Sequence, residues 1–213
     1  MNVFDTPRDF ESVAHEIPAH YAWENDNCFA PDRRVFMYAI DENDCIEWVN
    51  NVWREFAKEN DAPELAMNDL TGRSIWEFIG DSDTRILYEL FFDRVRTHQR
   101  ACSIPMRCDS HDTLRLLHMT MLPQGVGGIA FRASITAARP NPHAQSPGRL
   151  PESDNDIMEM CSFCKRARVQ TGHWLEPELA LSMRATSGEP LSPQLSHSIC
   201  RDCWPEMQRR LQA

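Results

Sequence analysis

Residues 34–51 read RVFMYAIDENDCIEWVNN. Arg34 to Ile40 is rich in apolar residues and strand-like. Asp41-Glu42-Asn43-Asp44 supplies the short polar side chains that favour a turn. Cys45 to Val49 then returns as a second strand, so the stretch predicts a β-hairpin. Asn50 or Asn51 stands where a side-chain oxygen can cap a helix carrying Trp53, Phe56 and Ala57 on one face.

Working outward, the residues to Ile135 continue as one α+β unit. Short helical elements are expected around Glu64 to Met67 and around Ser74 to Ile79. Asp81 or Asp83 can cap a longer helix in which Leu87, Phe91 and Val95 recur at i, i+4 and i+8. Three strands follow. Cys102, Ile104, Met106 and Cys108 alternate with Ser103, Pro105 and Arg107. Leu117, Met119 and Met121 alternate with His118 and Thr120. Ile129, Phe131, Ala133 and Ile135 alternate with Ala130, Arg132 and Ser134. Period-two patterns predict a five-stranded antiparallel sheet with one buried face, helices on that face, and His118 pointing away from the core.

This order of strand, strand, helices, long helix and three strands is similar to that of the PAS family. Ala39 to Glu42 with Cys45 to Asn51 resembles the family's first hairpin running into its Asn-led helix. Thr71-Gly-Arg-Ser-Ile-Trp-Glu-Phe-Ile79 resembles the segment before its long helix. The resemblance implies a sensor of small ligands or a mediator of protein contacts in signal transduction. Trp53, Phe56, Trp76, Phe78, Leu87, Phe91, Met106, Met119 and Phe131 are then candidates to line a ligand cavity, or else to fill the core. No Asn-Cys-Arg-Phe segment lies between Trp76 and Thr84, so a photoactive flavin is not expected. A haem would need an axial histidine, and only His98 and His118 are placed to be considered.

Cys161-Ser-Phe-Cys164 and Cys200-Arg-Asp-Cys203 form two C-x-x-C pairs. Two residues between cysteines let both sulfurs face one ion, and two such turns complete a tetrahedral four-cysteine zinc site. A structural zinc supplies folding free energy on the order of 10 kcal/mol, which a module too small for a large core needs. Lys165, Arg166, Arg168 and Arg201 stand near the thiolates and can offset their charge. His197 either donates a hydrogen bond beside the metal or replaces a cysteine as ligand; four thiolates already saturate zinc, which favours the former. Cys161-Ser-Phe-Cys-Lys-Arg-Ala-Arg168, Gly172-His-Trp174 and Ser196-His-Ser-Ile-Cys-Arg-Asp-Cys203 resemble a module appended to bacterial PAS and response-regulator proteins. The alternatives are thiol–disulfide exchange by the C-x-x-C pairs and a soft-metal response using Cys102 and Cys108 with Met106, Met119, Met121, Met158 and Met160.

The expected organisation is a helical extension over 1–25, a PAS-like domain over 26–136, a proline-rich linker over 137–157 and a zinc module over 158–213. In the first segment Thr6 and Pro7 open a helix that Pro18 closes, either packed on the next domain or forming a homodimer contact. Acidic residues outnumber basic ones 32 to 22, giving a net charge of -10 that repels phosphate backbones, so nucleic acid is a poor partner. There is no apolar run of the length a bilayer requires and no signal-peptide pattern at the N-terminus, so a cytoplasmic location is expected. Eight cysteines in a reducing compartment read as thiols or metal ligands. No spaced catalytic constellation, kinase motif or helix-turn-helix is recognisable, so the expected role is that of a non-enzymatic sensor or adaptor acting on a separate signalling protein.

Overall fold

A computed structural model describes residues 34–60, 62, 65, 70–110, 112–141, 153–188 and 193–212. The helix expected over 1–25, Cys28 and most of the stretch from Glu64 to Met67 lie outside the described residues.

The predicted hairpin is β1 (Val35–Ile40) and β2 (Ile46–Val49), paired antiparallel. Its turn is set by Asp41, whose carboxylate accepts the backbone N–H of Asn43 and of Cys45, each at 2.8 Å. Asn50 caps α1 (Asn51–Glu59) by accepting the Trp53 N–H at 2.9 Å. The same amide donates to the Val35 carbonyl at 2.9 Å, so the cap also ties the helix start to β1. A short 3₁₀ turn, Ile75–Glu77, opens with a capping box between Ser74 and Glu77.

Asp81 caps α2 (Ser82–His98), accepting the Thr84 N–H at 2.7 Å. Leu87, Phe91 and Val95 on its predicted inner face are fully buried. β3 (Cys102–Arg107), β4 (Thr113–Gln124) and β5 (Gly128–Pro140) complete an antiparallel sheet of order β2-β1-β5-β4-β3. At the β4–β5 turn a Cβ on Gly128 would come within 2.9 Å of the Ile40 carbonyl oxygen, so only glycine lets the β1 backbone approach there. Arg96 locks the far end of α2 to both hairpins, donating to the Gly127 and Asp41 carbonyls and pairing with Asp44 at 2.7 Å.

The second sheet has the order β8-β7-β6-β9. It comprises β6 (Ser153–Cys161), β7 (Ala167–Arg168), β8 (Trp174–Leu175) and β9 (Pro193–Ser198), with α3 (Pro177–Thr186) between the last two strands and α4 (Cys203–Gln212) at the end. β6 and β9 pair in parallel. Among the described residues no helix is long and apolar enough to cross a membrane.

Two expectations are corrected. The sheet does not have a single buried face: every residue of β4 from Leu114 to Leu122 is buried, and His118, expected to point outward, is 2% exposed. The polar groups on the second face are tolerated because they find partners. Ser103 and Thr120 share a hydrogen bond of 2.8 Å, and Arg107 pairs with Asp109 and Glu176, both at 2.6 Å. The linker is also shorter than expected. β4 is long enough to give Ala137 to Pro140 ladder partners from Leu116 to Thr113, and β6 already begins at Ser153. Pro140 stands at the strand terminus, where its missing N–H is harmless.

The core is built on aromatic contacts. Phe92 packs against Trp76, Tyr88 and Phe131 at centroid distances of 5.3, 5.9 and 5.6 Å, and Tyr38 stacks on Phe131 at 4.3 Å. Truncating such a centre forfeits both transfer energy and packing. Phe92→Ala is expected to destabilise the protein by about 3–5 kcal/mol in urea denaturation. Ile86→Ala, on the exposed face of the same helix, is expected to cost under about 1 kcal/mol.

Candidate metal centre

The parallel pairing of β6 with β9 is what brings the two C-x-x-C pairs together. Its register sets Met160 beside His197 and Cys161 beside Ser198, so both strands leave the sheet at the same end, each leading into one cysteine turn. In the first turn the Cys161 N–H donates to the Arg166 carbonyl at 2.8 Å and the Lys165 N–H to the Cys161 carbonyl at 3.0 Å. Lys165 takes a left-handed φ of 61° to close it, a conformation costing a non-glycine residue about 1–2 kcal/mol. In the second turn Cys203 is the first residue of α4, and the Trp204 N–H donates to the Cys200 carbonyl at 3.0 Å.

The four sulfurs of Cys161, Cys164, Cys200 and Cys203 lie within 4.8 Å of one another, and all four residues are buried. The Cys164 and Cys200 sulfurs are 3.6 Å apart. A tetrahedral ion with metal–sulfur bonds of ~2.3 Å sets its sulfurs about 3.8 Å apart, whereas a disulfide bond is only about 2.05 Å long. The cluster therefore has the size of a metal site, and the four residues are free thiols rather than disulfides. Four cysteine ligands would fill the coordination of a tetrahedral ion, which is the composition of a structural rather than a catalytic site.

Donors surround the sulfurs. The Cys200 N–H points at the Cys161 sulfur and the Cys203 N–H at the Cys200 sulfur, both at 3.4 Å. Arg166 reaches the Cys164 sulfur at 3.4 Å and the Cys200 sulfur at 3.5 Å, and is held in place by Asp202 at 2.7 Å. Hydrogen bonding to Cys161, with further help from Cys203 and Arg166, draws Cys164 down to about 7. Hydrogen bonds from Cys161 and the other two thiols lower Cys200 as well, while Cys161 and Cys203 are raised within the same cluster. Metal binding to such a cluster displaces the remaining protons.

Of the four basic residues expected to offset the thiolate charge, only Arg166 contacts sulfur. Lys165 donates to the Ser162 carbonyl, Arg168 pairs with Glu159, and Arg201 lies 4.0 Å from Asp202. His197 is not among the four clustered ligands. It is exposed on β9 and lines a groove, because the strand turns its side chain outward before the chain bends into the second cysteine turn. Hydrogen bonding to the sulfurs is supplied by Arg166 and the backbone amides instead.

The residues between the first two cysteines were not singled out by sequence, yet they join the two sheets. Phe163 is 1% exposed and stacks on Tyr88 of α2 at 6.5 Å. Its carbonyl accepts the N–H of Arg107 on β3 at 2.7 Å, covering the open edge of the five-stranded sheet. The Ser162 hydroxyl bonds Thr84 at 2.7 Å and the cap residue Asp81 at 3.2 Å. Ser198 reaches Asp83 at 3.4 Å, and Arg94 donates to the Leu211 carbonyl at 2.8 Å. One apolar cluster consequently runs from Phe36 and Phe131 through Phe163 to the four cysteines and Met207. The available signal was an aromatic residue inside a C-x-x-C pair.

The candidate cavity residues divide. Leu87, Phe91, Met119 and Phe131 are buried in this cluster, and Trp53, Phe56, Trp76 and Met106 are partly buried against it. Phe56 lies under the guanidinium groups of Arg34 and Arg115. Phe78 is exposed and shares the groove with Met106. Cys102 is buried and pushed up to about 11 by desolvation, and burial raises Cys108 as well. Neither joins the four-sulfur cluster.

No protein-family model matches this chain, and no curated protein does.

Removing the Arg166 charge is expected to loosen the metal. Arg166→Gln should release it to a competing chromophoric chelator at least about 10-fold more readily. Arg168→Gln, which touches no sulfur, should leave the competition curve unchanged.

Proposed function

We propose that the protein is a cytoplasmic PAS-type sensor or adaptor of bacterial signal transduction. In this reading its C-terminal module is held by a structural zinc, and it acts through contact with a separate signalling protein. The choice of metal follows from chemistry: four thiolates in a closed site suit zinc better than the oxygen-seeking divalent ions. The sensor reading draws support from the order of elements in the first sheet and from the module motifs, both of which resemble signalling proteins.

The observation that carries the reading is the seating of the first cysteine turn in the core of the PAS-like sheet through Phe163 and Ser162. A metal site built only to stabilise a tail has no need to share a core with its neighbour. A site that shares one couples the shape of the tail to that of the sheet. The four ligands lie too deep for exchange with a substrate disulfide, which favours a structural metal over thiol chemistry.

Metal analysis of the purified protein is expected to give one zinc per chain and no Soret band. Metal-free protein with a reversible dithiol would favour the redox alternative. Affinity capture under native conditions is expected to recover a signalling protein with the wild type and to lose it with Cys164→Ser. Recovery of no such protein by the zinc-loaded wild type would contradict the adaptor role.

A further inference from the structure

The interior of the five-stranded sheet is occupied by its own side chains, with Leu87, Phe91 and Phe131 fully buried. A concavity of about 640 Å³ opens instead at the seam between the two sheets. We propose that this groove binds a small amphipathic anion: an apolar or aromatic body carrying one carboxylate or sulfonate group.

The apolar wall comes from both units. Phe78, Tyr88 and Met106 belong to the first sheet and its helices, while Phe163 and Leu195 belong to the metal module. Phe78 and Leu195 are exposed at the rim, 38% and 51%, so an apolar body would cover surface that now faces water. The volume falls within the usual range for small-molecule sites, on the order of 300–1,000 Å³.

The charge follows from how the polar groups are engaged. The carboxylate in the groove, Asp81, is committed on both oxygens, one to the Thr84 N–H at 2.7 Å and the other to the Ser162 hydroxyl at 3.2 Å. The Lys165 ammonium donates to the Ser162 carbonyl at 3.0 Å, and among the described residues no carboxylate forms a salt bridge with it. His197 lines the same groove. The groove thus offers an ammonium with donors to spare against an apolar wall, while its one carboxylate already accepts on both oxygens. An anionic head on Lys165 with its body on Phe78, Met106 and Leu195 satisfies both.

This deepens the sensor reading by naming where its ligand sits, and it can fail separately from it. Zinc-loaded full-length protein is titrated with 8-anilinonaphthalene-1-sulfonate, followed by fluorescence, and the dye is then displaced with decanoate. One saturable site that decanoate empties is expected. Its affinity should fall at least about tenfold in Lys165→Gln, Leu195→Asp and Phe78→Asp, and stay unchanged in Val126→Asp on a distant exposed turn. Metal content is measured on the same samples. Leu195→Asp and Phe78→Asp change no residue near the ligands, so either of them keeping its zinc and binding the dye as the wild type does would overturn the proposal. So would several weak sites indifferent to decanoate. Wild-type protein that captures its partner yet binds neither anion would remove the groove and leave the sensor reading standing.

Discussion

Four sulfur atoms converging on one point organise the C-terminal third of this chain. A segment of this size cannot bury enough apolar surface to hold itself together. Its own apolar set is small, with Met158, Ala167 and Ala180 forming a minor cluster beside the main one. The ligand cluster supplies what that set lacks. Because the first cysteine turn carries Phe163 into the neighbouring core, the same convergence also closes the edge of the first sheet. The contact is made of complementary parts: an aromatic stack, a backbone hydrogen bond at a strand edge, and hydroxyl bonds to the capped start of α2. The buried Arg107, gripped by Asp109 and by Glu176 from the module, adds a charged clasp at the end of β3.

Electrostatics around the cluster are local. Arg166 and two backbone N–H groups face the sulfurs, and Asp202 fixes the guanidinium. The remaining basic residues serve other partners, and Lys165 turns into the groove at the seam. A single residue therefore carries most of the side-chain compensation for the thiolate charge. It lies two positions after Cys164, where the turn brings its side chain back over the sulfurs.

Much of this was legible in the sequence. The hairpin over residues 34–49 and the inner face of α2 followed from patterns that depend only on neighbours along the chain. So did the cap at Asn50 or Asn51 and that at Asp81 or Asp83. The ligand set also followed, because C-x-x-C spacing is a local constraint on sulfur geometry. The features that were not legible depend on contacts between segments far apart in sequence. Period-two alternation assigned His118 and Arg107 to an outward face, and the fold covers that face. The parallel β6–β9 pair joins segments more than thirty residues apart in sequence, and its polar strands carry no clear periodic signal. Phe163 looked like a spacer because nothing local distinguishes a residue between two ligands from one seated in a second core. His197 was read as a neighbour of the metal from its position in sequence, while the strand geometry points it into the groove.

The first cysteine turn holds the edge of the first sheet through the Arg107 N–H. Residue-resolved amide hydrogen exchange, compared before and after the metal is stripped with a chelator, tests this directly. Stripping is predicted to speed exchange at the Arg107 amide and through residues 161–168 while the central strands β1 and β5 stay protected. An Arg107 amide that remains as slow as before, in protein shown to have lost its metal, would contradict it.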